Sequence, residues 1–253
     1  VLAVESANDC LARARSLYRS GAFDQVLELL ATALEQHPDH AGLWHFRGLA
    51  HHARGDFLEA IAALETLTTL APLAAASQVA LASSYLATGK GELARTIYRH
   101  LATFSEMPLH LLPQLAAGLD CLDELHLALT VRRAWASRDP GCAAAFFSAA
   151  RSMARLKYPP ESLLPFLWQA FQLAPDRILY RIDLAVAYHG CGNLAQARTL
   201  LQALPPAELA AISCPPRLHA LVALFAAAGD SEREQACLAR LLTLANRRRA
   251  TEH

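Results

Sequence analysis

The 253-residue sequence has no surplus of charge: 23 Lys and Arg balance 23 Asp and Glu, and the pI is about 7.3. A surface that grips a polyanion needs a basic excess, so nucleic acid is not expected as a partner. No apolar run reaches transmembrane length, because Arg, Glu, His or Asp interrupts every one, and no membrane insertion is expected. The six cysteines (Cys10, Cys121, Cys142, Cys191, Cys214 and Cys237) make no CxxC pair and no metal-type spacing with histidine. A chain of this size holds itself without disulfides, so they read as small buried thiols in a reducing, cytoplasmic compartment. Val1 to Asp9 lack the basic start and apolar stretch of a secretory signal. The sequence starts at Val1 rather than Met, as a trimmed or processed protein, or a domain of something longer, would.

Signatures of catalysis are missing too. There is no Gly-rich phosphate loop, no GxSxG elbow and no paired-carboxylate signature, and no enzyme activity or cofactor is expected. Eleven histidines are many, but zinc wants three or four converging ligands, commonly spaced as HExxH, and that spacing is absent. His189 and Cys191 flank Gly190 without an orienting third group or an oxyanion site to make a nucleophile pair. Trp44, Trp135 and Trp168 read as core anchors rather than a cofactor box.

What the chain does have is alanine, leucine and a period. It is 54% hydrophobic and poor in β-branched residues, a composition that favours helices. Glycine is scarce, 11 in all, so its regular placement is informative. Gly21, Gly55 and Gly89 are 34 residues apart; so are Ala60, Ala94 and Ala128. Pro38, Pro72 and Pro140 follow at one step and then two. A fixed step of this length signals a stacked repeat. The clearest unit is 41–74, with Trp44, Gly48, Gly55, Phe57, Ala60, Leu64 and Pro72. Gly48 is read as the small site where the second helix of its own unit approaches, Gly55 as a left-handed turn, and Asp56 as the cap of the next helix.

These positions resemble the tetratricopeptide repeat (TPR) family. The resemblance implies an all-α, right-handed α-solenoid of antiparallel helix pairs running as a single domain through 1–253. Its repeats are 7–40, 41–74, 75–108, 109–142, 143–177, 178–211 and 215–246, with a polar tail at 247–253. Asp123 replaces the turn glycine of the fourth unit, and Lys157-Tyr158-Pro159-Pro160 that of the fifth, whose second helix is expected to have its first turn at Glu161 to Leu164. One subclass of the family clamps a C-terminal carboxylate with Lys and Asn on successive first helices. The matching positions here are Leu11 and Arg15, His45 and Leu49, and Val79 and Ser83, so that subclass is rejected.

The resemblance also implies a mode of action, in which a polypeptide binds in a concave groove lined by first helices. The residues mapped to that groove are Asn8, Arg15, Tyr18, Arg19, His45, Leu49 and His52 in the first two units, and Ser83, Leu86, Gln114 and Asp120 in the middle. The fifth and sixth units add Phe147, Arg151, Arg155, Asp183, Val186 and His189, and the seventh His219. An apolar surface with basic groups in its N-terminal part and again near the fifth unit suits an amphipathic or acidic segment, and an Arg15–Arg19–His45–His52 cluster predicts an acidic feature in the partner. The expected role is a scaffold or adaptor that binds a protein or peptide. A substrate-recruiting domain of a larger enzyme, such as a protein glycosyltransferase, is the alternative, although the asparagine ladder such enzymes often carry is absent. No extra C-terminal helix caps the last unit, so homo-oligomers through an uncapped end form a third reading.

Overall fold

The computed structural model describes residues 6–202 and 204–251. The segment read as lacking a secretory signal therefore lies partly outside the described residues, as do the last two residues of the tail. The chain is all-α and follows the expected alternation of first and second helices. The pairs in chain order are α1 (Ala7–Arg19) with α2 (Phe23–Gln36), α3 (Ala41–Arg54) with α4 (Phe57–Leu70), and α5 (Ala75–Ala87) with α6 (Gly91–Leu101). Next come α7 (Leu112–Cys121) with α8 (Leu125–Arg138), α9 (Ala143–Arg155) with α10 (Pro160–Leu173), and α11 (Ile178–Gly190) with α12 (Leu194–Leu201). A short α13 (Pro206–Leu209) precedes the last pair, α14 (Pro215–Ala228) and α15 (Ser231–Thr251).

The chain forms two compact units, one ending at Val131 and the other starting at Arg132, a boundary that falls inside α8. In the first unit each first helix packs on its own second helix and on the next first helix: α1 on α2 and α3, α3 on α4 and α5, α5 on α6 and α7. In the second, α9 packs on α10, α10 on α11, α11 on α12 and α14, and α14 on α15. This repeating neighbour pattern is that of an α-solenoid.

Small residues set the closeness of the pairs. A Cβ on Gly48 would stand 2.5 Å from Cγ of Leu64, so only glycine lets α3 and α4 meet there. Ala14, Ala60, Ala94, Ala128 and Ala197 are fully buried at repeat positions, and Leu30, Leu43, Leu64, Leu101 and Leu119 fill the space between helices. Tyr98 is 1% exposed and passes so close to Gly118 that any side chain there would overlap its ring.

The turns keep one backbone conformation. Gly21, Gly55, Gly89, Gly192 and Gly229 have φ between 72° and 87°, and Asp123 (60°) and Lys157 (58°) occupy the same left-handed slot. Lys157 follows Asp123 by the regular step, so the extra residue of the fifth unit lies after it, among the prolines.

Several local expectations are corrected. Asp56 accepts no capping bond from α4; its carboxylate instead meets Arg54 Nε at 3.0 Å and His51 Nδ1 at 3.3 Å. α10 begins at Pro160, one residue before the expected first turn, and Pro165 lies inside it. With no N–H, Pro165 leaves the Glu161 carbonyl without its helical donor. Trp168 is 44% exposed and is not a core anchor, whereas Trp44 donates its Nε1–H to the Pro38 carbonyl at 2.6 Å. The polar tail is not a separate segment: α15 runs through Arg247 and Arg249 to Thr251. The link before α14 is held by α15, because Arg233 donates to the Gln202 and Leu204 carbonyls and Arg240 to that of Ile212.

Candidate functional site

In the first unit the first helices bring Arg15, Tyr18 and His45 together around Phe46. The Arg15 guanidinium stands 6.0 Å from the centre of that ring, Tyr18 packs against it at 5.8 Å and His45 at 5.0 Å. Asn8 and Arg19 are exposed on α1 and lie outside this group of contacts. Leu49 is 8% exposed and belongs to the core, not to an open groove.

His45 and His52 are not the basic groups expected of them. His45 Nδ1 lies 2.6 Å from Ser77 Oγ, and His52 Nδ1 lies 3.1 Å from Ser84 Oγ. Both bonds cross from α3 to α5. Ser84 already donates to the Ala80 carbonyl, so its oxygen is left to accept from the Nδ1–H of His52. Burial lowers both imidazole pKa values, and the charge of Arg15 lowers that of His45 further. Both rings are therefore neutral at pH 7 and act as ties between successive first helices. Ser83 is likewise engaged, 2.7 Å from Tyr98 Oη, while Gln114 is exposed on α7.

The second unit holds a more open arrangement. α9, α11 and α14, with α10 beneath them, enclose a trough of about 550 Å³. Its walls are mostly apolar: Ala150, Ala154, Leu163, Leu167, Val186 and Ala220. Arg151 and Arg155, one turn apart on α9, contribute its basic groups and are exposed. Asp183 also lines it, but the Arg217 guanidinium covers its carboxylate through two bonds of 2.5 and 2.7 Å. Phe147 is 8% exposed, packed on Tyr180 at 4.3 Å and lying beneath Arg151, so it supports the trough rather than lining it. His189 is half-buried outside the trough wall, and His219 is exposed on α14 elsewhere. Burial and the neighbouring Glu161 carboxylate push the Cys191 thiol up, away from a thiolate nucleophile. Among the described residues, no group of three or more His, Cys, Asp or Glu could hold a metal ion.

Arg217 was not singled out from the sequence, and Tyr158 and Leu163 were read as parts of the fifth unit's turn and second helix rather than as groove residues. A signal existed for Arg217: it is an opposite charge one repeat step, 34 residues, after Asp183, with both on first helices. The His–Ser ties had one as well, since His45 and His52 are spaced seven apart like Ser77 and Ser84 on the next first helix.

Stacked antiparallel helix pairs with left-handed turns at a regular step define a helical-repeat protein. Residues 11–65 and 53–106 match the tetratricopeptide repeat family model, so this part of the chain carries tetratricopeptide repeats. No curated protein matches it in sequence. Among solved structures it is similar to the C-terminal part of a TPR repeat-containing protein from Cytophaga hutchinsonii, with 12% identity, TM-score 0.67, and coverage of 92% of this chain and 95% of that one. It is also similar to PilF of Pseudomonas aeruginosa (16% identity, TM-score 0.61, 81% of this chain and 91% of that one). A third is YrrB, described as a TPR protein with an unusual peptide-binding site (21% identity, TM-score 0.55, 69% and 90% coverage). At these identities the likeness speaks for the fold. TPR proteins in general serve as protein-interaction scaffolds and are typically non-catalytic. Among the described residues no helix is long and apolar enough to cross a membrane.

Proposed function

We propose that the chain is a non-enzymatic adaptor that captures a polypeptide segment in the trough on α9, α11 and α14. One observation carries this reading: an apolar trough of about 550 Å³ has two exposed arginines on one wall while Arg217 neutralises the Asp183 carboxylate within it. Such a site accepts an amphipathic or acidic segment, with aliphatic side chains between the helices and a carboxylate at Arg151 or Arg155. Helices that are already ordered lose little entropy on binding, and arginine is prominent among binding hot spots. The first unit offers less positive charge, because His45 and His52 are neutral and tied to serines. The peptide-binding description of YrrB is compatible with this mode of action, at the level of fold.

Selection of a displayed random-peptide library on the intact chain tests the reading. Enriched peptides should pair Asp or Glu with Leu, Ile or Phe. They should bind at least about ten-fold more weakly to Arg151→Glu/Arg155→Glu, and also to Ala154→Trp, which fills the trough. Equal binding by both variants would move the site elsewhere on the chain.

A further inference from the structure

The last helix carries a stripe that is complementary to itself. Leu238 is 42% exposed and Leu242 67%, high values for leucines one turn apart on a packed helix. With Leu241, Ala245 and Arg249 they border a second trough, of about 720 Å³, whose far side is Pro215 and His219 of α14. Glu234, Leu238, Leu241, Leu242, Ala245 and Arg249 fall within an arc of roughly 100° on α15. The stripe is thus acidic at its start, apolar in the middle and basic at its end.

We infer that this face of α15 binds α15 of a second copy of the chain, antiparallel and about a two-fold axis between Leu241 and Leu242. About that axis Glu234 of one copy faces Arg249 of the other, Leu238 faces Ala245, and Leu241 faces Leu242. Each charge meets its opposite twice, once on either side of the axis, as a two-fold contact requires. A parallel arrangement would set Glu234 on Glu234 and Arg249 on Arg249, and like charges oppose it. A head-to-tail mate would need an apolar partner face. The outer face of α1 and α2 is instead lined by Arg13, Ser16, Gln25, Glu28 and Thr32, with only Leu17 and Leu29 among them. The stripe from Glu234 to Arg249 is about 22 Å long at ~1.5 Å per residue. A contact of that length belongs to the small, reversible class, so dimers should form in the micromolar range.

Sedimentation velocity of the intact chain from about 1 to about 200 µM provides the test. The expected result is a monomer–dimer equilibrium that stops at two. Glu234→Arg alone and Arg249→Glu alone should each remain monomeric, because each sets like charges across the axis. The double variant Glu234→Arg/Arg249→Glu should dimerise again. An equimolar mixture of the two single variants should also dimerise, since both cross-axis pairs are then opposite in sign. Leu242→Glu should be monomeric with an unchanged helical spectrum, which separates lost association from lost folding. A monomer throughout, a mass that grows beyond two, or a dimer indifferent to these changes would overturn the proposal. None of these residues lines the peptide trough, so the result is independent of that reading.

Discussion

Asp183 on α11 and Arg217 on α14 are joined by two parallel hydrogen bonds of 2.5 and 2.7 Å, with side chains only 19% and 13% exposed. The pair locks successive first helices of the second unit together and turns an acidic wall neutral. Removing one member leaves the other uncompensated in a largely dry site. Arg217→Ala should cost about 3 kcal/mol, while Asp183→Leu/Arg217→Met should cost much less. Urea denaturation of the wild type and both variants checks this order of stability. Arg217→Ala should also weaken binding of any acidic peptide, because Asp183 would then repel it.

The approach of α3 to α4 at Gly48 admits no side chain, since a Cβ there would stand 2.5 Å from Leu64 Cγ. Gly48→Ala should destabilise the first unit by ~1–3 kcal/mol, the usual range for overpacking. Leu64→Ala added to it should recover less than it loses, because it opens space where Leu64 is fully buried. Thermal melts followed by circular dichroism would show the order of stability.

The two histidine–serine ties predict an acid sensitivity. Burial holds the folded pKa of His45 and His52 below the ordinary value of 6.5. The unfolded chain therefore binds more protons than the folded chain as pH falls below that value. Stability from these neutral rings is fully present above pH 6.5 and is lost as pH falls through the lower folded pKa values. Between about pH 7.5 and about pH 5.5 the wild-type Tm should drop more steeply than that of His45→Gln/His52→Gln. Parallel profiles would show that the ties do not couple to protonation.

Two turns use residues that the left-handed conformation does not favour: Asp123 at φ 60° and Lys157 at φ 58°. Glycine takes this conformation without the Cβ clash, at some cost in chain entropy. Lys157→Gly should stabilise by ~0.5–1 kcal/mol. Asp123→Gly should gain less, because aspartate tolerates the region better than lysine. Gly55→Ala should lose ~1 kcal/mol. Chemical denaturation midpoints rank the three.

The thiols should separate cleanly by reactivity. Cys237 is fully buried, and that burial pushes its thiol up to about 11, whereas Cys121 is exposed. Timed alkylation of the native protein followed by peptide mass spectrometry should label Cys121 first and Cys237 only after unfolding. Early labelling of Cys237 would mean that α14 and α15 open readily.

The repeat was legible in the sequence because its causes are local. A left-handed turn strongly prefers glycine, a close helix crossing demands glycine or alanine, and the apolar positions recur with the helical period; each leaves a mark at a fixed step. Those marks located the helix pairs even where Asp123 and Lys157 replaced glycine. Position on a first helix, by contrast, does not say what a side chain does there. His45 and His52 had the place of groove residues, but serines on α5 satisfy them and burial neutralises them. Leu49 and Phe147 had the same place and went into the core, Phe147 against Tyr180 of the next first helix. Arg217 had to come within hydrogen-bonding reach of Asp183 before either had a role. By itself the sequence determined the architecture, since residue type at each repeat position controls turn and crossing. The tertiary structure decided which charges are neutralised, which stay exposed beside the trough, and which leucines of α15 are left uncovered. Those outcomes depend on distances between side chains on different helices, which no single helix encodes.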